Sequence, residues 1–450
     1  MSGKIHRVYF IGIGGIGMSA LARYFHERGV IVSGYDRTPN EVTDALHLLG
    51  IEIHFEANVD IIPRHVDLVV YTPAIPKDHL ELRFYIENNY TVKKRSEVLQ
   101  EITKDKFTIA IAGSHGKTTV TAMITHLLKH SGYDCTAFIG GIAMNYNSNF
   151  ISGKNDTFVV EADEFDRSFL RLTPDIAVVT AVDTDHLDIY GTIGEIEKNF
   201  SAFCSNVKAG GHLLLKHGLT IAKNAKNVST ATYSLQNASS DCYATDIQLA
   251  ATTSRFTWCF AKEKLPDLAL SYPGQHNIEN AIAAIRVARW LGIEHDPIRQ
   301  AIATFKGLKR RFEYIIRRDD LVFIDDYAHH PREIAALLNS VRAIYPGRRV
   351  TVIFQPHLFT RTRDLANEFA QSLDLADEVI LLDIYPAREE PIEGVTSRLI
   401  LDKMTMRSKD LMTKSSLLDR LTERPIDILL TVGAGDIDRM VNPTKALLSK

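Results

Sequence analysis

The sequence predicts an α/β fold in which parallel sheets are covered by helices, and three observations support this prediction. Apolar runs of strand length alternate with amphipathic helical stretches almost throughout the chain, which is typical of parallel strands joined by crossover helices. Three strands run directly into a polar or glycine-rich loop that opens a helix. The chain has 450 residues, more than one hydrophobic core usually serves, so we expect several domains.

The three strand-loop-helix starts predict where the domains begin. They are residues 8–11 before Gly12, residues 107–112 before Gly113, and residues 321–324 before Asp325. In the third start, Pro331 suits the first turn of a helix. We therefore expect three domains, with boundaries near Asp105 and Arg311: residues 1–105, 106–311 and 312–450. Short alternating runs between about residues 210 and 271 predict a small antiparallel part in the second domain.

Composition and charge favour a cytoplasmic enzyme that acts on small molecules. The formal net charge of -3 gives no field that would attract nucleic acid or an anionic membrane surface. No apolar run reaches the roughly 18 residues that a spanning helix needs, and the chain starts with a strand rather than a signal peptide. The four cysteines are far apart, without the spacing of a zinc site or a disulfide framework, so we expect reduced thiols.

A glycine motif follows the first strand. Its spacing, Gly12-x-Gly14-x-x-Gly17 with Gly15 inside, lets the backbone approach a pyrophosphate at the start of a helix. Asp36 follows the next strand at the spacing of a ribose-binding acid. The motif alone leaves three interpretations open: a nicotinamide dinucleotide, a UDP-sugar, or a tight turn without a ligand.

A phosphate loop is the strongest motif in the chain. Its backbone N–H groups would cradle phosphate oxygens, its lysine would reach the β and γ positions, and a hydroxyl would hold Mg²⁺, so we expect ATP to bind here. The loop departs from the full Walker spacing, because Ile111 stands where the first glycine would be. The residues of the predicted ATP loop are Gly113, Ser114, His115, Gly116, Lys117, Thr118 and Thr119.

Acidic residues follow the next two buried strands. The carboxyl ends of parallel strands meet at one edge of a sheet, so Glu161 and His186 could complete magnesium sites that Thr118 begins. The alternative is that such residues only cap helices, and we adopt it for Asp163 and Asp183.

Further along, Asn277 and Asn280 lie three positions apart and therefore on one helix face. They could contact the base or ribose of a nucleotide, or Asn277 could be only a helix cap.

Two polar clusters follow strands in the last third of the chain. One is Asp325 to His330, and the other is Gln355 to Arg363. Because arginine binds carboxylates through two parallel hydrogen bonds, Arg361 or Arg363 could hold an amino-acid carboxylate. A histidine such as His329 could orient or deprotonate an amine.

Taken in order, these motifs resemble those of the Mur ligases over essentially the whole chain. The resemblance implies an N-terminal Rossmann-like domain for the UDP group, a central P-loop ATPase-type sheet, and a C-terminal Rossmann-like domain that closes over the amino acid. It also implies an ATP-dependent ligation in cell-wall peptidoglycan synthesis that passes through an acyl phosphate. The resemblance rests on Gly12–Met18, Gly113–Thr119, Glu161–Glu164, Asp185–Asp188, His276–Asn277, Arg310–Glu313, Asp325–Pro331 and Phe354–Thr362.

Within this family, the first motif, Asp325 to Pro331, and Gln355 to Thr362 resemble those of members that add L-alanine to UDP-N-acetylmuramate. The resemblance implies that Lys117, Glu161, His186 and His329 are catalytic. It implies that Asn277, Asn280, Arg311 and Asp326 contact ATP. It further implies that L-alanine is surrounded by Tyr327, His329, His357, Arg361 and Arg363. Gly12, Gly14, Gly15, Gly17 and Asp36 would bind the UDP-sugar, and Thr118, Glu161 and His186 would bind Mg²⁺.

Such ligases often carry arginine after the Gln-Pro-His triplet, whereas this chain has Leu358. We expect a monomer or a weak homodimer. The nearest alternative is a sibling ligase that adds a recycled cell-wall tripeptide to the same sugar nucleotide. An oxidoreductase built on the first glycine motif, or a UDP-sugar-binding protein without turnover, would leave the phosphate loop unused.

Overall fold

The protein is described from a computed structural model, which defines residues 5–182, 190, 192–221, 226–250, 252–387 and 389–449. These residues form three sheets flanked by helices, which confirms the predicted α/β class. They divide into two compact units, residues 1–248 with 253–306, and residues 249–252 with 307–450. The three-domain boundaries near Asp105 and Arg311 stay predictions.

The first sheet has five parallel strands in the order β3-β2-β1-β4-β5. The strand order reverses at β1, and the crevice beyond the carboxyl end of such a strand is where α/β sheets bind ligands. Alternate side chains of β1 enter two different apolar clusters, so the strand is buried on both faces. The elements are β1 Arg7–Ile11, α1 Ile16–His26, β2 Ile31–Tyr35, α2 Glu41–His47, β3 Glu52–His54, β4 Leu68–Tyr71, α3 Leu80–Glu87, β5 Val92–Lys94 and α4 Arg95–Thr103.

The second sheet has ten strands in the order β15-β14-β13-β12-β11-β10-β6-β9-β7-β8. Its centre is parallel and largely buried, which agrees with the continuous apolar runs of β6, β9 and β10. Its elements are β6 Phe107–Ala112, α5 Lys117–His130, β7 Thr136–Ala143, β8 Ser148–Ile151, β9 Thr157–Glu161, a 3₁₀ helix Phe165–Arg171, β10 Ile176–Val179, α6 Ile193–Ser205, β11 His212–Lys216, β12 Ser229–Tyr233, β13 Cys242–Gln248, β14 Ser254–Phe260, β15 Glu263–Leu270, α7 Gln275–Trp290 and α8 His295–Thr304.

The predicted antiparallel part is confirmed, but it is smaller than expected. Among the described residues from about 210 to 271, only β13, β14 and β15 pair antiparallel. Strands β11 and β12 instead extend the parallel sheet. Alternation of apolar and polar residues predicts a half-buried strand, but it does not show whether the strand runs parallel or antiparallel to its neighbour.

The third sheet has six strands in the order β16-β17-β21-β18-β19-β20, and only β16 runs antiparallel to its neighbour. Helix α9 begins at Pro331, as predicted. The elements are β16 Glu313–Arg317, β17 Val322–Asp326, α9 Pro331–Ile344, β18 Val350–Phe354, α10 Phe359–Asp364, α11 Ala366–Leu373, β19 Glu378–Leu381, α12 Arg398–Leu401, β20 Lys409–Leu411, α13 Lys414–Arg420, β21 Ile428–Val432, a 3₁₀ helix Asp436–Met440 and α14 Val441–Leu448.

The structure can be compared with the predictions made from the cysteines and from the apolar runs. Cys135, Cys204, Cys242 and Cys259 are all buried free thiols. None of the helices in the described part of the chain combines the length and the apolar character needed to cross a membrane.

Helix α1 of the first sheet packs on the edge of the second sheet. Tyr24 contacts Phe138 and Phe150, with ring centroids 5.6 and 6.0 Å apart. The fully buried Asn149 of β8 donates to Ile16 O at 2.6 Å and to Ser19 Oγ at 2.9 Å. The helix that follows the first glycine motif is therefore fixed on the sheet that carries the phosphate loop.

We predict that Asn149→Ala destabilises the protein by about 1 to 3 kcal/mol, because it removes the amide that donates to the buried Ser19 hydroxyl and to the partly buried Ile16 carbonyl. The measurement is the midpoint of the first urea unfolding transition. Asn88→Ala is the control, since that amide bonds to Phe84 O on an exposed helix end. Equal midpoints for the two variants would contradict the prediction.

Candidate active site

The first glycine loop is fastened to the end of β2. The N–H groups of Gly12 and Ile13 donate to Tyr35 O at 2.7 and 3.0 Å. Gly12 has a φ of 87°, a conformation that side chains other than glycine rarely adopt. Gly15 caps α1 without a side-chain hydrogen bond, so the first N–H groups of the helix have no acceptor within it. A pyrophosphate placed there would be attracted by those groups.

Asp36 braces this loop. Its Oδ2 accepts from Gly14 N at 2.7 Å, and its Oδ1 accepts from Thr38 N at 3.1 Å. A Cβ atom on Gly14 would lie 2.9 Å from Asp36 Oδ2 and 2.8 Å from Thr43 Cγ2, so only glycine fits this close approach. The ribose contact of Asp36 stays a prediction, and the geometry adds a positioning role that the motif did not indicate.

The phosphate loop joins β6 to α5 at the carboxyl edge of the second sheet. Gly113 and Gly116 have φ values of 138° and 81°, and Gly116 forms the N-cap of α5. A Cβ atom on Gly113 would lie 2.2 Å from Thr180 Oγ1 at the end of β10, so the loop presses against the neighbouring strand. Ser114 N donates to Ala181 O at 3.0 Å, and Thr180 Oγ1 donates to His115 O. The loop is thus held in a fixed conformation by the adjacent strand end.

Lys117 is held inside the loop. Its Nζ donates to Gly113 O at 2.5 Å and to the carboxylate of Glu164 at 2.9 Å. Burial by itself would lower the pKa of Lys117, but the negative charges of Glu164, Glu161 and Asp163 outweigh burial and raise the pKa above its usual value. The amine is therefore cationic at neutral pH. Glu164 was not among the candidates, because sequence spacing does not show which acid after β9 faces the lysine.

Thr118 and Glu161, two of the predicted metal ligands, lie within hydrogen-bond distance of each other. Thr118 Oγ1 donates to Glu161 Oε1 at 3.1 Å, and Gly140 N donates to Glu161 Oε2 at 2.8 Å. Burial raises the pKa of Glu161, although Lys117 and these hydrogen bonds act in the opposite direction. His186, the third predicted metal ligand, lies outside the described residues. Within the described chain, no group of three or more His, Cys, Asp or Glu side chains is placed to hold a metal.

Asn277 and Asn280 are both buried on one face of α7. Gly274, not Asn277, is the N-cap of this helix, so the capping interpretation of Asn277 is wrong. Asn277 Nδ2 donates to Pro273 O at 2.6 Å. Asn280 Oδ1 would lie 3.0 Å from a Cβ atom on Gly116, so this asparagine touches the phosphate loop.

A cavity of about 350 Å³ lies between the first glycine loop and the carboxylates at the carboxyl end of β9. Its wall includes the residues 15–17, which open α1, and Gly140, Glu161 and Asp163 on the second sheet. Arg95, at the first position of α4, also lines it. The cavity belongs to the first compact unit alone.

In the second compact unit, Asp326 is fixed at the end of β17. Its carboxylate accepts from Phe312 N at 2.6 Å and from Ala328 N at 2.8 Å. Burial raises the pKa of Asp326 to about 6, with the charge of Arg311 opposing the shift. The predicted ATP contacts Arg311 and Asp326 are therefore neighbours.

The same unit brings together most of the predicted L-alanine residues. The Tyr327 and His329 rings lie 5.3 Å apart, and the His329 and His357 rings lie 6.1 Å apart. Burial lowers the pKa of His329, and the nearby charge of Arg361 adds to the effect while Glu333 opposes it. Tyr385, which sequence reasoning missed, stacks on His357 at 5.9 Å.

The two arginines differ in their surroundings. Arg363 donates to the adjacent Asp364 at 2.7 Å, and its side chain is 52% exposed. Arg361 instead lies close enough to His329 to influence its pKa. The structure therefore groups Arg361, and not Arg363, with the histidines.

Leu358 occupies the position where an arginine was expected from the family pattern. Its side chain is buried, and its φ of 73° is unusual for a residue with a Cβ atom. Such a conformation costs on the order of 1 to 3 kcal/mol. Its N–H donates to Tyr385 O at 3.0 Å, which holds the turn in place.

Comparison with known proteins agrees with this arrangement. Residues 7–107 match the Mur ligase family catalytic domain, residues 111–288 the Mur ligase middle domain, and residues 310–435 the Mur ligase glutamate ligase domain. A UDP-N-acetylmuramate–L-alanine ligase from Porphyromonas gingivalis is 49% identical, with 98% of this chain and 99% of the relative covered. The chain belongs to the Mur ligase family.

Other Mur ligases match over the same span. The ligase of the same name from Flavobacterium johnsoniae is 49% identical, with 99% of each chain covered. The crystal structure of a UDP-N-acetylmuramate-alanine ligase from Thermotoga maritima superposes with a TM-score of 0.86 at 27% identity, over 99% of this chain and 100% of that chain. A murein peptide ligase from Psychrobacter arcticus shares the fold, with a TM-score of 0.75 at 22% identity over 99% of both chains.

We predict that ionisation of Asp326 lowers the stability of the protein as pH rises from 4 to 7. A carboxyl with a raised pKa binds its proton more tightly in the folded state than in the unfolded state. The resulting stabilisation is complete at low pH and is lost as pH rises through about 6. The urea midpoint of Asp326→Asn, measured relative to that of the wild type at the same pH, should therefore rise as pH increases from 4 to 7.

The control is Asp319→Asn, which removes a carboxylate from an exposed position. Its urea midpoints should follow those of the wild type across the whole range. A parallel pH dependence for the wild type and Asp326→Asn would show that Asp326 does not titrate in this window.

Proposed function

We propose that the protein joins L-alanine to the lactyl carboxylate of UDP-N-acetylmuramate, with ATP converted to ADP and phosphate, in cytoplasmic peptidoglycan synthesis. The full-length match to ligases of this specificity carries the proposal, since 49% identity extends over all three family domains. The phosphate loop agrees with the ATP dependence of Mur ligases. The tripeptide-adding sibling has no comparable support, because the murein peptide ligase match shows the fold alone.

The proposed domain roles follow from where the motifs lie. Residues 1–105 would bind the sugar nucleotide through the first glycine loop. Residues 106–311 would bind ATP, and residues 312–450 would bind the amino acid and part of ATP.

Phosphoryl transfer would begin the reaction. The lactyl carboxylate attacks the γ-phosphorus of ATP, so that a C–O–P bond forms and ADP leaves. Lys117 would stabilise the migrating phosphoryl group, because its amine is charged and held at the phosphate loop. Asn280, which touches Gly116, would help to position the nucleotide.

Thr118 and Glu161 would bind Mg²⁺. A hydroxyl and a carboxylate are the hard oxygen ligands that this ion prefers, and it usually takes few protein ligands beside phosphates and water. The bound ion would neutralise charge on the transferring phosphates.

Amide formation would complete the reaction. The amine of L-alanine attacks the acyl carbon, and phosphate leaves from the tetrahedral intermediate. His329 could accept a proton from the ammonium group, because its lowered pKa keeps the ring neutral at pH 7. Arg361 would bind the carboxylate of L-alanine.

The direct test is phosphate release from ATP with UDP-N-acetylmuramate, with L-alanine and the tripeptide supplied separately. We expect a nucleotide product heavier by one alanine residue, formed only with ATP and a divalent cation. Product formed with the tripeptide alone would move the assignment to the sibling ligase. Absence of turnover with both amines would overturn the ligase assignment.

We predict that Lys117→Ala abolishes phosphoryl transfer but leaves UDP-N-acetylmuramate binding within about threefold, since the lysine faces the ATP loop. Product formation and calorimetric binding would be measured on the same preparation. Lys129→Ala, at the other end of α5, is the matched control because its amine pairs with Asp134. An equal loss of binding and turnover would contradict this division of roles.

We also predict that Arg361→Ala raises the Michaelis constant for L-alanine by roughly 10-fold to 100-fold, the effect of losing a charge-assisted hydrogen bond. Arg363→Ala should change it far less, since that side chain is exposed and paired with Asp364. A Michaelis constant for L-alanine that is the same in Arg361→Ala and in the wild type would show that Arg361 does not bind the L-alanine carboxylate.

A further inference from the structure

Arg95 lies at the junction of the two sheets of the first compact unit. It is the first residue of α4, and its Nη2 donates to Asp163 at 3.1 Å. Its side chain is 23% exposed. A Cβ atom on Gly17 would lie 2.4 Å from Arg95 Nη1, so the guanidinium rests directly against the third glycine of the first motif.

This contact gives a reason for glycine at position 17. The absence of a side chain there leaves space for the guanidinium beside the start of α1. Arg95 therefore lies between the proposed pyrophosphate site on the glycine loop and the carboxylates at the end of β9.

The charged side chains that line the cavity have opposite signs. Glu161 and Asp163 are negative groups in the wall, and Arg95 is the one positively charged side chain among the described residues lining it. An acceptor that carries a diphosphate and a carboxylate would be repelled by the two acids. A guanidinium has five N–H donors, so pairing with Asp163 leaves capacity for a second oxyanion.

We propose that Arg95 binds an oxyanion of the acceptor sugar nucleotide within this cavity, an inference that rests on the proposed function. The group is either the diphosphate or the lactyl carboxylate, which share the geometry that a guanidinium recognises. Asp163 is then a positioning residue, because it holds the guanidinium towards the cavity.

The test measures ligand binding by calorimetry on the full chain, with UDP-N-acetylmuramate and with UDP-N-acetylglucosamine, which lacks the carboxylate. Arg95→Gln should weaken binding of UDP-N-acetylmuramate by roughly 10-fold to 100-fold. If the carboxylate is the partner, binding of UDP-N-acetylglucosamine changes less than threefold. If the diphosphate is the partner, both ligands lose affinity equally.

Arg95→Lys is the second variant. It keeps the charge but not the paired donors, so it should show a smaller loss for the same ligands and preserve the fold if Arg95→Gln does not. Arg83→Gln is the matched control, because that arginine forms an exposed pair with Glu87 on α3. Thermal melting of each variant checks folding.

Unchanged affinity for both ligands in a folded Arg95 variant would overturn the role of Arg95 while leaving the ligase assignment intact. Failure of the wild type to bind UDP-N-acetylmuramate at all would overturn the ligase assignment and, with it, the inference that rests on it. Equal weakening in Arg83→Gln would identify a general charge effect and would also overturn the inference.

Discussion

The charge balance at the end of β9 is the constraint on which the central site depends. Three carboxylates, on Glu161, Asp163 and Glu164, fall within four residues of one buried strand end. Left alone, they would repel one another and resist burial. Lys117 pairs with Glu164, and Arg95 pairs with Asp163. Glu161 accepts hydrogen bonds from Thr118 Oγ1 and Gly140 N, and the charge of Lys117 also acts on it.

In the second compact unit, two adjacent buried acids are likewise balanced by nearby basic side chains. Asp325 and Asp326 end β17, and each is matched by one of two consecutive arginines. Arg310 Nε donates to the buried Asp325 at 3.1 Å, and Thr431 Oγ1 donates to its other oxygen at 2.6 Å. Arg310 also donates to Gly433 O at 2.6 Å, which fixes the turn after β21. Both carboxylate oxygens of Asp325 therefore accept hydrogen bonds from side chains that stabilise the fold. The carboxylate of Asp326 instead accepts from the backbone N–H groups of Phe312 and Ala328.

Local motifs were predictable because their geometry is encoded within a few residues. The phosphate loop, the glycine turn before α1 and Pro331 at the start of α9 all depend on adjacent positions. The partners of these motifs were not predictable. Glu164, Arg95 and Tyr385 meet their partners across strands or across sheets, and such contacts depend on packing that spacing does not reveal. The same holds for the hydrogen bond from Gly14 N to Asp36, which joins two loops 22 residues apart in the sequence.

Because α1 packs on β7 and β8, the position of a crossover decides whether a chimera of two relatives keeps these contacts. A crossover between relatives near residue 105 would separate Asn149 and Phe138 from the helix they pack on, although the sequence motifs on either side would remain intact. A junction between Lys306 and Gly307 follows a boundary between compact units and leaves these contacts within one parental segment. A segment exchanged between relatives must therefore include strands of the second sheet, and not the first sheet alone, if it is to keep the contacts of the helix after the first glycine loop.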